Sequence, residues 1–392
     1  MKNGYRVVEL NEICSKIAVG LAIALTPHMA ETGVKLIRNQ NIRRNRFDTS
    51  SVIFLTTEFA DAQCSKMILT GDVVIVRTGA NIGDACVVPE EFNGAQSFTT
   101  LIARPKSNLL YSSYLAQFVN SDLGRAEVSR LMAGGGKGNL NSGELERFRI
   151  YLPKIQDQKR IASLLSFWDI ASEKAERLIA AKENGFIWLV KSLITDRRDG
   201  WEHLKADRIF RNISEKGNGD AELLSVTQDK GVIPRTMLEG RVMSPESGTE
   251  SYKLIKKGDF AISLRSFQGG IEYSRYQGLI SPAYTVLRPI IAIESEFYRH
   301  FFKSYLFIEK YLRIAVIGIR DGKQISIPDF MTIKIPVLPL DQQKQIASIL
   351  NIAQQEIDLL KKQAEAYRRQ KRGLMQKLLT GEWRVRAGLG TL

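Results

Sequence analysis

The feature that most constrains this chain is a helix opening spelled twice. IQDQKRIASLL starts at Ile155 and LDQQKQIASIL at Leu340, an offset of 185. Self-similarity at a fixed offset points to two copies of one plan, and it runs on well beyond the opening. GDVVIVRTGANIG from Gly71 aligns with GDFAISLRSFQGG from Gly258 at an offset of 187. FNGAQSFTTLIARP from Phe92 aligns with YQGLISPAYTVLRP from Tyr276 at an offset of 184. GYRVVELNEI at Gly4 and GWEHLKADRI at Gly200 read as two starts of the same unit. The helix openings have stayed alike while the parts before them have diverged.

Those earlier parts read as mainly β. GDVVIVRTG and GDFAISLRS are glycine-aspartate turns running into β-branched strands, and SPAYTVLRP ends a strand at an arginine-proline pair. Residues 113–130 and 296–313 have helical composition. The expected fold class is α+β: two mixed, mainly β domains joined by two long helices, with an approximate twofold internal repeat. The segments are 1–155 and 197–338 for the domains, 156–196 and 339–381 for the helices, and 382–392 for a tail.

No proline interrupts 161–195 or 346–380. In the second copy Ile346, Leu350, Ala353, Ile357, Leu360, Ala364, Tyr367, Lys371, Leu374 and Leu378 are spaced alternately by four and three. Ile161, Leu165, Trp168, Ser172, Ala175, Ile179, Lys182, Phe186, Leu189 and Leu193 repeat that spacing in the first. A sustained alternation of this kind is a coiled-coil seam. Two helices of equal length, each roughly 50 Å long, most simply pair with each other. Each leaves its own domain at its N-terminal end, so an antiparallel pairing puts the domains at opposite ends of a rod. The competing picture is two amphipathic helices, each lying on its own domain.

Composition narrows the function. Lysine and arginine outnumber acids 56 to 42, a formal charge of +14. That balance favours an anionic partner, nucleic acid ahead of membrane. The longest apolar run, IAVGLAIAL from Ile17, is too short to span a bilayer, and no signal-peptide layout opens the chain. Cys14, Cys64 and Cys86 are scattered, as in reduced cytoplasmic proteins.

Catalytic constellations are missing. His28, His203 and His300 are far apart, and none has a metal-ligand spacing with a cysteine. AGGGKGN from Ala133 lacks the hydroxyl residue a phosphate loop needs after Lys137. PDFMTIK from Pro328 has Thr332 where a nuclease strand carries an acid. The expectation is no catalytic residue, no metal and no cofactor bound by this chain.

Side chains suited to reading base edges are present. RNQNIRRNR from Arg38 packs four arginines and four amides into nine residues. Arginine pairs with guanine and Asn or Gln with adenine, while further arginines meet phosphate. The first-copy candidates are Arg38, Asn39, Gln40, Asn41, Arg43, Arg44, Arg77, Thr78, Asn81, Lys137 and Asn139. Arg43 and Arg44 are expected on phosphate. The second-copy candidates are Gln228, Lys230, Arg265, Ser266, Gln268, Arg320, Lys323 and Gln324.

These residues carry a family likeness. The chain resembles the specificity subunit of type I restriction-modification systems over nearly its whole length. The carrying segments are the two helix openings, RRQKRGLMQKLLTGEWRV closing the second helix, and LIRNQNI, GDVVIVRTGANIG and GDFAISLRS. The first helix departs at its end, where WLVKSLITDRRDGW lacks a glycine after Thr195, and Lys154 stands where the second copy has Pro339. The resemblance implies two target recognition domains, folded like the DNA-recognition domain of adenine methyltransferases. Each would bind one half of a bipartite site on double-stranded DNA. It also implies an antiparallel helical spacer that docks two modification subunits, which methylate adenine N6 with S-adenosylmethionine. Restriction subunits would add ATP- and magnesium-dependent translocation and cleavage. Two other readings stay open: one partner polypeptide that both methylates and cleaves, and a stand-alone DNA-binding or scaffold protein whose helices are only a spacer.

Overall fold

The computed structural model describes residues 4–133, 138–196, 200–216, 221–238, 249–263, 271–317 and 324–385. The chain folds as two compact units, residues 1–177 with 361–392, and residues 178–360. Each unit therefore holds one mixed part and portions of both long helices, a division that cuts across the linear segments read from the sequence.

The first unit opens with the strand Arg6–Glu9, a single helical turn Leu10–Ile13, and the strand Cys14–Val19. Arg6–Glu9 pairs antiparallel with Arg149–Leu152, just ahead of the first long helix. Cys14–Val19 joins an antiparallel sheet whose order continues through Leu101–Pro105, Val73–Ile75 and Ala85–Val87. Alternation along a strand sends successive side chains to opposite faces. Val73 and Ile75 join a core with Tyr114, Leu115 and Phe118, while Val74 and Val76 enter a second one with Ile37, Ile42 and Ile102. Both faces are covered, which is why the segment reads as an unbroken apolar run. A second sheet, Gln96–Ser97, Val34–Ile37, Ile53–Leu55 and Met29–Ala30, and the hairpin Ile42–Arg43 with Arg46–Phe47 complete the unit.

The second unit repeats the frame. Glu202–Lys205, the turn Ala206–Ile209 and the strand Phe210–Ile213 follow one another, and Glu202–Lys205 pairs with Lys334–Val337. Its sheet has the order Phe210–Ile213, Tyr284–Pro289, Phe260–Ser263, Glu272–Tyr273. Its core is richer in aromatic side chains than the first, which holds Tyr114, Phe118 and Phe148: Phe210, Phe260, Tyr298, Phe301, Phe302 and Phe307 are buried together, with ring centroids down to 4.8 Å apart.

The repeated glycine-aspartate turns have a structural cause. Gly71 and Gly258 sit at φ of +85° and +98°, a region where a side chain is strained. Each following aspartate is buried and bonds two ways. Asp72 accepts the Leu69 N–H at 2.8 Å and two Arg104 bonds at 2.7 and 2.8 Å. Asp259 accepts the Lys256 N–H at 2.9 Å and bonds from Arg288 at 2.9–3.1 Å. The arginine of each arginine-proline pair thus clamps its own turn by a charge-assisted, two-point contact.

The first long helix is Ile155–Val190, continued by one π-helical turn Lys191–Thr195; the second is Leu340–Leu379. Within the first unit they run antiparallel. Asp169 meets Lys371, Arg368 donates to Glu176 at 2.6 Å, and the Trp168 and Tyr367 rings lie 5.8 Å apart. Ile161 and Leu165 are buried with Leu378 in the head core, and Leu374 packs against it. Within the second unit Ile346 and Leu350 are buried in the core, against which Phe186, Leu189 and Leu193 pack. Ile357 is buried, Ile179 and Leu360 are half-buried, and Lys182 pairs with Glu356 at 2.7 Å. The seam is thus continuous with each head's own core. Among the described residues no helix is long and apolar enough to cross a membrane.

Candidate nucleic-acid interface

In the first unit the ends of two strands and one loop converge. The segment after Val34–Ile37 turns through Asn39–Asn41, and the segment after Val73–Ile75 carries Arg77 and Thr78. Asn39 Nδ2 donates to Thr78 Oγ1 at 3.1 Å, and Arg77 donates to Asn141 Oδ1 at 2.8 Å. The Arg77 carbonyl accepts the Leu140 N–H at 3.1 Å, which brings half-buried Asn139 to the same edge. Arg38 donates to the Ser51 carbonyl at 3.2 Å and exposed Gln40 to Ser51 Oγ at 2.8 Å. Arg38 Nε, Asn39 Oδ1 and Arg77 Nε are buried and find no hydrogen-bond partner. Such atoms are costly to leave unpaired, and here three gather at one edge. Asn81 is exposed on the same loop as Thr78.

Asn41 corrects the expectation. It is completely buried; its Oδ1 accepts the Arg38 N–H at 2.8 Å and its Nδ2 donates to the Asp48 carbonyl at 2.9 Å. The amide closes the loop from inside and has no face left for a base edge.

Of the hairpin arginines Arg44 and Arg46 are exposed and Arg43 is half-buried, and each has an acid beside it. Arg43 lies 3.7 Å from Asp48, Arg44 3.1 Å from Asp84, and Arg46 3.6 Å from Glu173. Bonds from Ser50, and the nearby Arg43 charge, hold the Asp48 carboxyl below its usual range. The acids are half-buried or, at Asp84, buried, while the Arg44 and Arg46 guanidinium groups keep a face toward solvent that another anion could reach.

In the second unit Gln228 and Lys230 are exposed on the turn between Leu224–Thr227 and Gly231–Pro234. Gln324 lies on a short strand, Gln324–Ile325, but its side chain is not described. Lys137, Arg265, Ser266, Gln268, Arg320 and Lys323 lie outside the described residues.

Several residues that position these edges were not singled out from the sequence. Gln158 is buried at the first long helix's start; its Nε2 donates to the Leu109 and Pro153 carbonyls at 2.9 Å and its Oε1 accepts the Tyr111 N–H at 2.8 Å. Gln343, 185 positions later, donates to the Leu338 carbonyl at 2.8 Å and accepts the Glu294 N–H at 2.8 Å. Tyr114 and Tyr298 reach the carbonyls of Tyr151 and Pro336 at 2.7 and 2.9 Å. The doubled helix opening is therefore a doubled polar clip between helix and head. Its signal was present as a glutamine retained inside an otherwise amphipathic repeat.

The long helices also leave large apolar side chains in solvent. Phe167 and Ile170 are exposed in the first unit, and Ile187, Trp188, Ile352 and Leu359 are 64–67 % exposed in the second. None is a seam residue.

Among the described residues no three His, Cys, Asp or Glu side chains are grouped so as to hold a metal ion. Two largely antiparallel-sheet units of one plan, clipped to long helices, with an arginine- and amide-rich edge on the first, suit a protein that meets a polyanion. The family described as type I restriction modification DNA specificity domain matches residues 2–182 and again 204–366. The chain belongs to this family, the non-catalytic DNA-recognition component of type I restriction-modification systems. It is 22% identical to a putative type I restriction enzyme MjaX specificity subunit of Methanocaldococcus jannaschii, over 97% of this chain and 94% of that one. It is 25% identical to the MjaVIII specificity subunit of the same organism, over 85% and 86%. Its fold is similar to the crystal structure of a type I restriction-modification S subunit from M. genitalium, with a TM-score of 0.60, 15% identity and 97% of each chain covered.

Proposed function

We propose that this specificity subunit reads a bipartite, asymmetric DNA target, one element per unit. The carrying observation is that the frame is duplicated, clip for clip, while the polar edges differ. Arg38, Asn39, Gln40, Arg77 and Thr78 have no residue-for-residue match in Gln228 and Lys230. Equal frames with unequal edges suit two different short sequences read in the same manner.

In this reading the long helices form an antiparallel coiled-coil spacer with approximate twofold symmetry. Two methyltransferase subunits dock on it, and restriction subunits join them. The exposed apolar residues outside the seam support the docking, because side chains of this size in solvent mark interaction surfaces. S-adenosylmethionine, ATP and magnesium would belong to those partners, and the complex would act in the cytoplasm. Expressing the chain with its modification subunit and mapping methylated adenines by long-read sequencing tests the reading. The expected motif has two unlike elements around an unread gap, with one methylated adenine in each. A continuous or palindromic motif would overturn it.

A further inference from the structure

The hairpin turn of the first unit is wired to the long helices by buried and half-buried side chains. Asn45, at its tip, has φ of +56°, and its N–H donates to the Ala85 carbonyl at 2.9 Å. Its side-chain amide lies 3.1 Å from Gln117 Oε1 and 2.7 Å from Asn120 Nδ2. Asn120 is already committed to both backbone groups of Ala85, at 3.0 and 2.8 Å. Gln117 Nε2 is committed to Asp169 Oδ2 at 2.7 Å. In this orientation Asn45 donates to Gln117 and accepts from Asn120; with its amide swapped, its oxygen would accept from Lys371 at 3.2 Å and its nitrogen would donate to the Ala116 carbonyl at 3.3 Å, and either way the tip meets the long-helix network. The other Asp169 oxygen takes the Lys371 ammonium from the second long helix. Four residues on, Glu173 faces Arg46 at 3.6 Å, so successive turns of one helix hold the hairpin.

We propose that Asp169 is a positioning residue for DNA recognition, holding the turn of residues 43–46 in place on the long helices through Gln117. The inference rests on reading that turn as DNA-facing. A network serving stability alone has no need to end on an exposed arginine turn. It also recurs with other residues. Counted from Ser112 and Ser295, which bond Gly71 and Gly258 alike, His300 stands where Gln117 does and Lys303 where Asn120 does. His300 meets Asn351 of the long helix at 2.9 Å, and Lys303 donates to the Gln228 carbonyl at 3.0 Å. In each unit, then, the same two helix positions tie the candidate reading turn to a long helix. Lys371 is mostly covered and Asp169 half-buried, which limits the water that would otherwise loosen the pair.

The test uses the full chain assembled with its modification subunit and a binding selection on randomised duplexes. The double variant Asp169→Leu with Lys371→Met removes both charges and keeps apolar volume between the helices. The expected result is an unchanged melting temperature and a loss of about 3- to 10-fold in discrimination at one element only, the effect of one or two hydrogen bonds. Gln117→Met cuts the same link without touching the helices, and it decides by the same criterion if the double variant does not fold. Arg43, Arg44 and Arg46 changed together to alanine report on the turn itself. If these weaken binding while the link variants leave both elements fully discriminated, or degrade both equally, the positioning role is wrong. If the arginine variant binds DNA as the parent does, the turn is not DNA-facing and the inference falls with that reading.

Discussion

The two units share a skeleton and differ in how its interior is filled. Both clamp a glycine-aspartate turn with the arginine of an arginine-proline pair, and both clip a helix to a head with a buried glutamine. Yet on the same helix positions the first packs Leu115 and Val119 where the second packs Tyr298 and Phe302. At the head-to-helix contact the first places Gln117 on Asp169, whereas the second places His300 on Asn351 with the Phe186 ring 5.8 Å away. Directional polar contacts between backbone and side chain have few substitutes, so they recur. Apolar volume can be filled in many ways.

The largest effect should come from the seam. Leu350 and Ile357 are almost wholly buried in the second unit. Changing both to Asp should cost about 5 kcal/mol or more, because two charges enter an apolar core. Denaturant unfolding should show the loss, together with failure to co-purify with the modification subunit. Unaltered assembly at an unaltered midpoint would mean that these helices do not depend on the seam.

The clamps come next and test whether the frames are equivalent. Asp72→Ala strands the partly buried Arg104 and should cost about 3 kcal/mol; Asp259→Ala leaves Arg288 its second acid, Glu215 at 3.1 Å, and should cost somewhat less. A large inequality between the two would break the comparison. Gln158→Leu and Gln343→Leu should follow at about 2 kcal/mol each, since carbonyl and N–H partners lose their bonds. Unfolding midpoints of the four single variants, measured side by side, give the ranking.

A smaller, pH-dependent effect should separate the units. Burial, with the Arg299 charge beside it, pushes His300 down to about 4 from the ordinary 6.5, against the Asn351 bond and Glu296. Below pH 6.5 the unfolded chain takes up a proton that the folded ring refuses until about pH 4. Stability therefore falls as pH drops through that window. His300→Gln, which copies the first unit's Gln117, should remove that part of the acid sensitivity. An identical pH profile for parent and variant would sink the assignment.

Much of this frame was legible in the offsets. The strand of GDVVIVRTG, its partner in the second copy, and the two long helices stand where period and turn residues placed them. The contacts that make those motifs necessary were not. Asp72 and Arg104 lie 32 positions apart, and nothing local says that one holds the other. Asn41 shows the same limit at the interface. Its composition matches its neighbours, yet the turn points it inward while Gln40 points outward. The division of each long helix between two compact units was also hidden, because periodicity reports a seam and not what else packs on it.

The central claim is one element per unit, and one assay addresses it directly. In the assembled complex, Arg38, Asn39 and Gln40 are changed together to alanine in one variant. Gln228 and Lys230 are changed in another, and both are selected on randomised duplexes. Each variant should lose discrimination at one element, at roughly 1–3 kcal/mol per paired contact removed, and the two should lose different elements. If either variant degraded both elements equally, or if both degraded the same one, the assignment of one unit to one element would be contradicted.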